Sequence, residues 1–552
     1  MKVKDRRLII YLLIPIFGLM AFSSFKKDYF EVSKQLDIFA SLFKELNIYY
    51  VDDIQPDELI HEAINSMLET LDPYTTYMTE EESEDFKVHT SGEYAGIGAS
   101  IRNIDNEVVI VQTYEGFAAH KSGLRAGDVI IGIDNNNMEN KDSDEVSSLL
   151  KGSIGSETLI KVKRSNAEFP LSVKLKREKI IIKAVPFFGM VNKDVGYIVL
   201  NSFSNKANLE VSSAYDKLKK QGMKYLILDF RGNPGGLLSQ AVSVSNLFLP
   251  KNTFVVETKG RIKDWNKKYH TRQKAKDLEI PIVILTNYGT ASASEIVAGA
   301  FQDLDRAVIM GDRTYGKGLV QQPRSLTYGT QLKITIAKYY IPSGRSIQAR
   351  DYFDRNEDGS VRVIPDSLKV TYKTNSGRIV YDGGGIEPDV NIDIDDLTKF
   401  SENLISEGIL FNYSVKYCNS TEGPVDLNTF ELSESDYNNF KNYVSASEVV
   451  FESELEIKLE ELVLLAKEED IYQELEYAIS DLELMIEKEN NNLFVRNDAQ
   501  IKRLLSLSIV NNDHFERGRY LYNINRDKVI SKASLLLQNQ NEYNSILSNN
   551  TN

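Results

Sequence analysis

The sequence predicts an α/β protein with added modules, and three observations carry that prediction. Between Val195 and Asp389, short apolar runs rich in β-branched residues (VGYIVLNSF, KYLILDFRG, IPIVILTN, RAVIMGD) alternate with the helical stretches ANLEVSSAYDKLKKQG, LLSQAVSVSNLFL and SASEIVAGAFQDL. Alternation of buried strands with helices is the pattern of an α/β core. From Ser91 to Lys179 the pattern changes to short alternating strands broken by glycine turns, and before and after these two regions apolar residues recur at helical spacing.

A chain of 552 residues, 42% hydrophobic and 26% charged, has the composition of globular protein and room for three or four domains. Its formal net charge of -15 argues against nucleic acid as a partner, because phosphate binding requires a basic face. One cysteine, Cys418, rules out an internal disulfide and reads as a buried structural thiol. The five histidines are scattered with no metal-ligand spacing, so no metal and no other cofactor is expected.

At the start, Lys2, Lys4, Arg6 and Arg7 precede 18 uncharged residues, Leu8 to Phe25. A basic flank before an apolar run predicts an exported protein, with residues 1–25 as a signal peptide or a membrane anchor and the body in the periplasm or on the cell-envelope side of the inner membrane. Residues 26–90 form a helical region: Val32, Leu36, Phe39, Leu42, Phe43 and Leu46 recur at helical spacing, Pro56 opens a second helix, and LDPYTTYMTEEE closes it and starts a third.

Residues 91–179 resemble a PDZ domain, on EYAGIGASI and on GLRAGDVIIGID downstream. In Gly96-Ile97-Gly98 the glycines let successive N–H groups converge on an anion such as a chain-terminal carboxylate. The adjoining strand edge can add an extended peptide by β-augmentation.

The chemistry concentrates in residues 287–322. GTASASE lies ahead of Gly316-Lys317-Gly318, with Ser292 25 positions before Lys317. A serine needs a base to become a nucleophile, and no histidine lies between His270 and His514. Lys317 serves if its pKa falls by roughly 3 units from about 10.4. Either Ser292 or Ser294 could be the nucleophile. Ser292-x-x-Glu295 is also a helix capping box, and on those four residues alone a cap is the better reading. A serine there also lies beside unpaired N–H groups and the positive end of a helix dipole, where an oxyanion is stabilised.

GTASASE followed by GKGLVQQ at this spacing resembles the carboxy-terminal processing peptidases (tail-specific proteases), a serine-protease family. The likeness runs from about Phe30 to Asp389 and includes LDPYT, QLKITIAKYYIPSGRSIQ and GGGIEPDV. The resemblance implies a crotonase-like protease core over residues 180–396. It assigns Ser292 as nucleophile, Lys317 as base, and Gln321, ahead of Gln322, as the group orienting the lysine amine. In LDFRGNPGGLL it implies an oxyanion hole made by a glycine amide, Gly235 ahead of Gly236, with the amide of Ala293. The expected substrates are proteins with apolar C-terminal tails held by Gly96, Ile97 and Gly98; whether the PDZ domain activates or inhibits stays open. A catalytically silent PDZ scaffold and a thioester-acting enzyme are the rival readings.

GDRTYGK (311–317) fits a phosphate loop literally, but Gly318 stands where Ser or Thr is required and no helix is expected to follow. After Asp396 the resemblance fades. Residues 397–552 read as a helical extension, with 14 acidic and 3 basic side chains over 452–489 taken as a solvated face above a packed apolar stripe. The Asn-rich end is expected to fray.

Overall fold

The computed structural model describes residues 29–356, 360–392, 397–447 and 454–548. The apolar run Leu8–Phe25 lies outside them. Among the described residues no helix is long and apolar enough to cross a membrane. Residues 29–77 with 332–334 make one compact unit and the remaining chain a second.

In the first unit, α1 (29–49) is followed by α2 (Pro56–Glu69), which Pro56 opens at a position where its missing N–H is no loss. Asp72 then turns the chain: its Oδ1 accepts from the amides of Tyr74 and Thr75, both at 2.9 Å, so LDPYT is an Asx turn.

The second unit begins near α3 (Glu80–Ser91), started by a capping box of Thr79 with Glu82 and ended by Gly92 in the left-handed conformation. The PDZ domain follows as an antiparallel sheet of β1 (Ala99–Ile104), β2 (Glu107–Thr113), β3 (Val129–Ile133), β4 (Glu157–Lys163) and β5 (Leu171–Lys176), in that order, with α4 (Ser143–Leu150) between β3 and β4. Ile97, Ile110, Leu124, Ile130, Val146, Ile160 and Val162 fill its core. The chain enters and leaves through an antiparallel pair, Glu93–Gly96 against Glu178–Ile181, so the domain is an insertion on a two-stranded stem.

The central sheet comprises β6 (Phe187–Met190), β7 (Val195–Val199), β8 (Tyr225–Asp229), β9 (Ile282–Thr286), β10 (Val308–Gly311) and β11 (Val390–Asn391), in that spatial order. All neighbours are parallel except β6 and β7. Alternate residues of each strand face opposite sides. Leu226, Leu228, Ile282, Ile284 and Ile309 pack under helices Ala207–Lys220, Leu238–Ser245 and Ala293–Asp303. Ile227, Val283, Leu285, Val308 and Met310 face the other way. A parallel sheet needs cover on both faces, which is why its strands read as unbroken apolar runs.

The second cover comes from the C-terminal region. Helices α5 (Lys399–Ser406), α6 (Ile409–Ser420), α7 (Glu434–Ala446) and α8 (Asp498–Asn523) bury their own core of Phe400, Leu404, Tyr437, Phe440, Leu505 and Ile509. Beyond it, Ile524, α9 (Lys528–Gln538) and α10 (Gln540–Ser548) lay Val529, Ile530, Ala533, Leu537 and Tyr543 on the open face of the central sheet. Tyr543 donates its hydroxyl to the carbonyl of Ile282 and accepts from its amide, both at 3.0 Å. The Asn-rich end is therefore packed helix as far as Ser548, contrary to the expectation of fraying. The acidic stretch forms two helices, Glu454–Glu468 and Tyr472–Asn491, whose apolar stripe is only partly packed: Leu459 and Ile479 are buried, whereas Leu455, Leu462 and Leu482 are exposed.

The C-terminal region also touches the PDZ domain. Gly127 sits so close to Val415 that a Cβ there would come within 2.4 Å of Cγ1, and Arg102 donates to the carbonyl of Ser406 at 3.2 Å. Cys418 is half-buried and lies 3.7 Å from the carbonyl of Ile509; burial pushes its thiol pKa up, as befits an inert thiol.

Candidate active site

Three neighbouring parallel strands end on the same side of the sheet, and each delivers one part of the site. β8 leads into Arg231–Gly236, β9 into the loop carrying Ser292, and β10 into Gly316-Lys317-Gly318. Carboxyl ends of parallel strands are where open α/β sheets bind ligands.

Ser292 stands just before the helix Ala293–Asp303, with φ 57 and ψ -115. That conformation is strained for a residue with a Cβ and costs about 1–3 kcal/mol. The clamp that holds it is Glu295, which is fully buried. Its Oε2 accepts from the amide of Ser292 at 2.8 Å and from the amide of Lys317 at 2.9 Å; its Oε1 accepts from the amide of Gly316 at 2.7 Å and the hydroxyl of Thr314 at 2.5 Å. One carboxylate oxygen thus brings together the backbones of the two residues that sequence singled out. Burial raises the pKa of Glu295, and the four donors oppose that rise. Sequence reasoning found Glu295 only as half of a capping box; its other three donors come from residues 314–317 and are not local.

Ser292 is half-buried, whereas Ser294 is fully buried and donates its hydroxyl to the carbonyl of Asn233 at 3.0 Å. The two serines therefore differ in environment: one is committed to packing and the other is accessible.

Lys317 is half-buried between glycines that have no room for a side chain. At Gly316, with φ +85, a Cβ would lie 2.3 Å from that of Ala349, and at Gly318 it would lie 2.8 Å from the amide of Gln348. A strand, Leu319–Ser325, follows rather than a helix, so GDRTYGK has no phosphate-loop geometry. Gln321 lies on that strand and donates its amide to Oγ1 of Thr335 at 3.1 Å. Tyr339, also missed in the sequence, is buried and donates to the carbonyl of Lys317.

The turn after β8 abuts the serine. Gly235 has φ +104, and a Cβ there would fall 2.8 Å from the amide nitrogen of Ala293. The amide of Gly235, however, donates to Oδ1 of Asn233 at 2.9 Å. That bond uses the hydrogen an oxyanion would need. The amides of Gly236 and Ala293 have no hydrogen-bond partner among the described residues.

In the PDZ domain, the carbonyls of Ile97 and Gly98 accept from the amides of Ala119 and Tyr114, both at 2.8 Å, which fixes the turn. A Cβ on Gly96 would lie 2.7 Å from the ring of Tyr94, and one on Gly98, at φ +78, 2.5 Å from Phe117. Next to this turn, a groove of about 230 Å³ runs between β1, an edge strand, and α4, lined by Ile97, Ala99, Ile101 and Leu150. Val88 of α3 closes one side of it, and α3 is tied to the end of α4 by Asp85 with Lys151. Among the described residues no cluster of potential ligands could hold a metal ion.

The fold and site define a serine peptidase core carrying an inserted PDZ domain. Residues 194–355 match peptidase family S41, residues 95–175 a PDZ domain, and residues 400–537 the family described as "Probable PDZ-protease, C-terminal helical domain". The last match covers a region in which the sequence reading found no resemblance. A carboxy-terminal-processing protease of Bartonella bacilliformis is 37% identical over 319 residues, 57% of this chain and 73% of that protein. A CtpA-like serine protease of Staphylococcus epidermidis is 34% identical over 334 residues, 59% of this chain and 67% of that protein. Among solved structures, a photosystem II D1 C-terminal processing protease is 26% identical, covering 65% of this chain and 93% of that one, with a TM-score of 0.35. The chain belongs to the carboxy-terminal-processing serine proteases of family S41.

Proposed function

We propose that this protein is an exported endopeptidase that cuts proteins near their C-terminal tails, with Ser292 as nucleophile and Lys317 as base. The observation that carries the assignment is the single Glu295 oxygen shared by the amides of Ser292 and Lys317. Ser292 Oγ attacks the scissile carbonyl while the neutral Lys317 amine takes its proton. The ammonium then returns the proton to the departing amine, and water, activated by the same amine, hydrolyses the acyl-enzyme. Gln321 orients the amine. The oxyanion is received by the amide of Ala293 and by a glycine amide of the turn, each donor worth roughly 3 kcal/mol. Gly236 fits that part better than Gly235, because its amide is not engaged.

The PDZ groove supports recognition of the substrate's end, with the carboxylate at Gly96-Ile97-Gly98 and apolar side chains of the tail against Ile101 and Leu150. Export rests on the basic flank and apolar run of residues 1–25.

Purified protein should cleave a substrate with an apolar C-terminal tail, faster as pH rises and without sensitivity to chelators. Ser292→Ala and Lys317→Ala should each lose on the order of 10⁴-fold in kcat, as members of one unit do. Full activity in Ser292→Ala would overturn the assignment, and intact peptides with every variant would favour a silent scaffold.

A further inference from the structure

We infer that Asp527, at the start of the last helices, is a positioning residue for peptide hydrolysis: it holds Arg231, and through Arg231 the turn that faces Ser292. This rests on the reading of Ser292 as the nucleophile.

Arg231 is the second residue after β8. Its Nε lies 3.0 Å from both oxygens of Asp229, its Nη2 donates to Oδ2 of Asp229 at 2.6 Å, and its own amide donates to Oδ1 at 2.9 Å. Tyr197 donates to the same carboxylate at 2.6 Å. Asp229 is therefore fully used, and the remaining edge of the guanidinium is met by Asp527, whose Oδ2 accepts from Nη1 at 2.9 Å. Both carboxylates are only 5% exposed and the Arg231 side chain 17%. The planar fork of arginine cannot satisfy two carboxylates unless both are fixed.

Asp527 is fixed from its other side. Its Oδ1 caps α9, accepting from the amides of Val529 at 2.8 Å and Ile530 at 3.2 Å. One carboxylate thus joins the helix covering the sheet to the root of the turn. Two residues further on, the carbonyl of Asn233 accepts from the amide of Ala291 at 2.9 Å and from Ser294. Gly235 then lies against Ser292 and Ala293 with no spare space. A shift of Arg231 is handed directly to the amides beside the nucleophile. Docking of α9 does not require this charge, because apolar side chains and Tyr543 already seat these helices, and a buried ion pair is weak evidence for stability.

The test compares kcat, KM and Tm of the full-length protein with those of Asp527→Asn, which retains a capping oxygen, and Tyr543→Phe, which weakens the seating of the same helices without touching Arg231. Asp527→Asn should lower kcat at least tenfold with KM within twofold, and its Tm should fall no further than that of Tyr543→Phe. Tyr543→Phe should keep kcat within twofold at a temperature well below its Tm. Arg231→Gln and the double variant Arg231→Gln/Asp527→Asn should be equally slow, because Asp527 acts only through Arg231. A kcat within twofold in Asp527→Asn, or an equal kcat loss in Tyr543→Phe, would overturn the inference, as would a double variant tenfold slower than Arg231→Gln. Ser292→Ala run in parallel separates the cases: if it stays active, the reading of the site fails, and if it is silent while Asp527→Asn is normal, only the role of Asp527 fails.

Discussion

Ser292 is held in a conformation it would leave if released, and Glu295 is what holds it. A fully buried carboxylate is tolerated because three backbone amides and a hydroxyl surround it. Glu295→Gln keeps the size but replaces one acceptor oxygen with an NH₂ group that faces donors. With two buried donors left unsatisfied at about 1–3 kcal/mol each, the variant should lose about 2–6 kcal/mol of stability. Activity should fall by at least a hundredfold; equal thermal denaturation and activity in Glu295→Gln would show that the clamp is not needed. At this scale the sequence was legible where the signal was local. GTASASE and GKG announce a serine and a lysine, and their glycines mark tight backbone. The sharing of one oxygen by residues 292 and 317 was not legible, because it depends on the register of β9 and β10. Nor was the engagement of Gly235 by Asn233, which a turn composition cannot reveal.

Among the elements, the seam between the helix Ala207–Lys220 and the segment entering β9 is pinned by Asp277. Burial alone would raise its pKa, but Tyr215, the amides of Ile280 and Glu279, and Lys219 bring it down to about 2. A depressed carboxylate contributes stability that is present above its ordinary pKa near 3.9 and is lost as pH falls through the depressed value. Asp277→Asn should therefore have a lower Tm than the parent at neutral pH, with the gap closing between about pH 4 and pH 2. A gap independent of pH across that window would refute this role. The strands and helices here were readable from apolar runs and helical spacing, since burial on both faces writes itself into β-branched sequence. The Asn-rich end was misread because its composition suggests solvent, yet Tyr543, Ile546 and Leu547 seat it on the sheet.

For the molecule as a whole, the PDZ domain hangs on a two-stranded stem and also rests on the C-terminal helices through Gly127 and Val415. If its groove takes a chain end, tail peptides with a free carboxylate should be cut with lower KM than the same peptides amidated. Equal KM values for the two forms would rule out carboxylate recognition. The module order was legible from changes in periodicity, but the closing of the central sheet by residues 524–547 was not, since two segments so far apart share no local pattern.

That closure has a consequence in time. A ribosome adds roughly 5–20 residues per second, and the strands of the central sheet are complete some two hundred residues before Ile524 is made, apart from the short edge strand Val390–Asn391. For tens of seconds the helices that cover one face of the sheet have been made and those that cover the other have not. The helices that end this interval arrive together with Asp527, so an unfinished or truncated chain has Arg231, the serine and the lysine but not the carboxylate that meets Arg231 from α9. If Asp527 positions Arg231 as inferred above, a chain that ends before α9 should cleave peptides more slowly than the full-length protein.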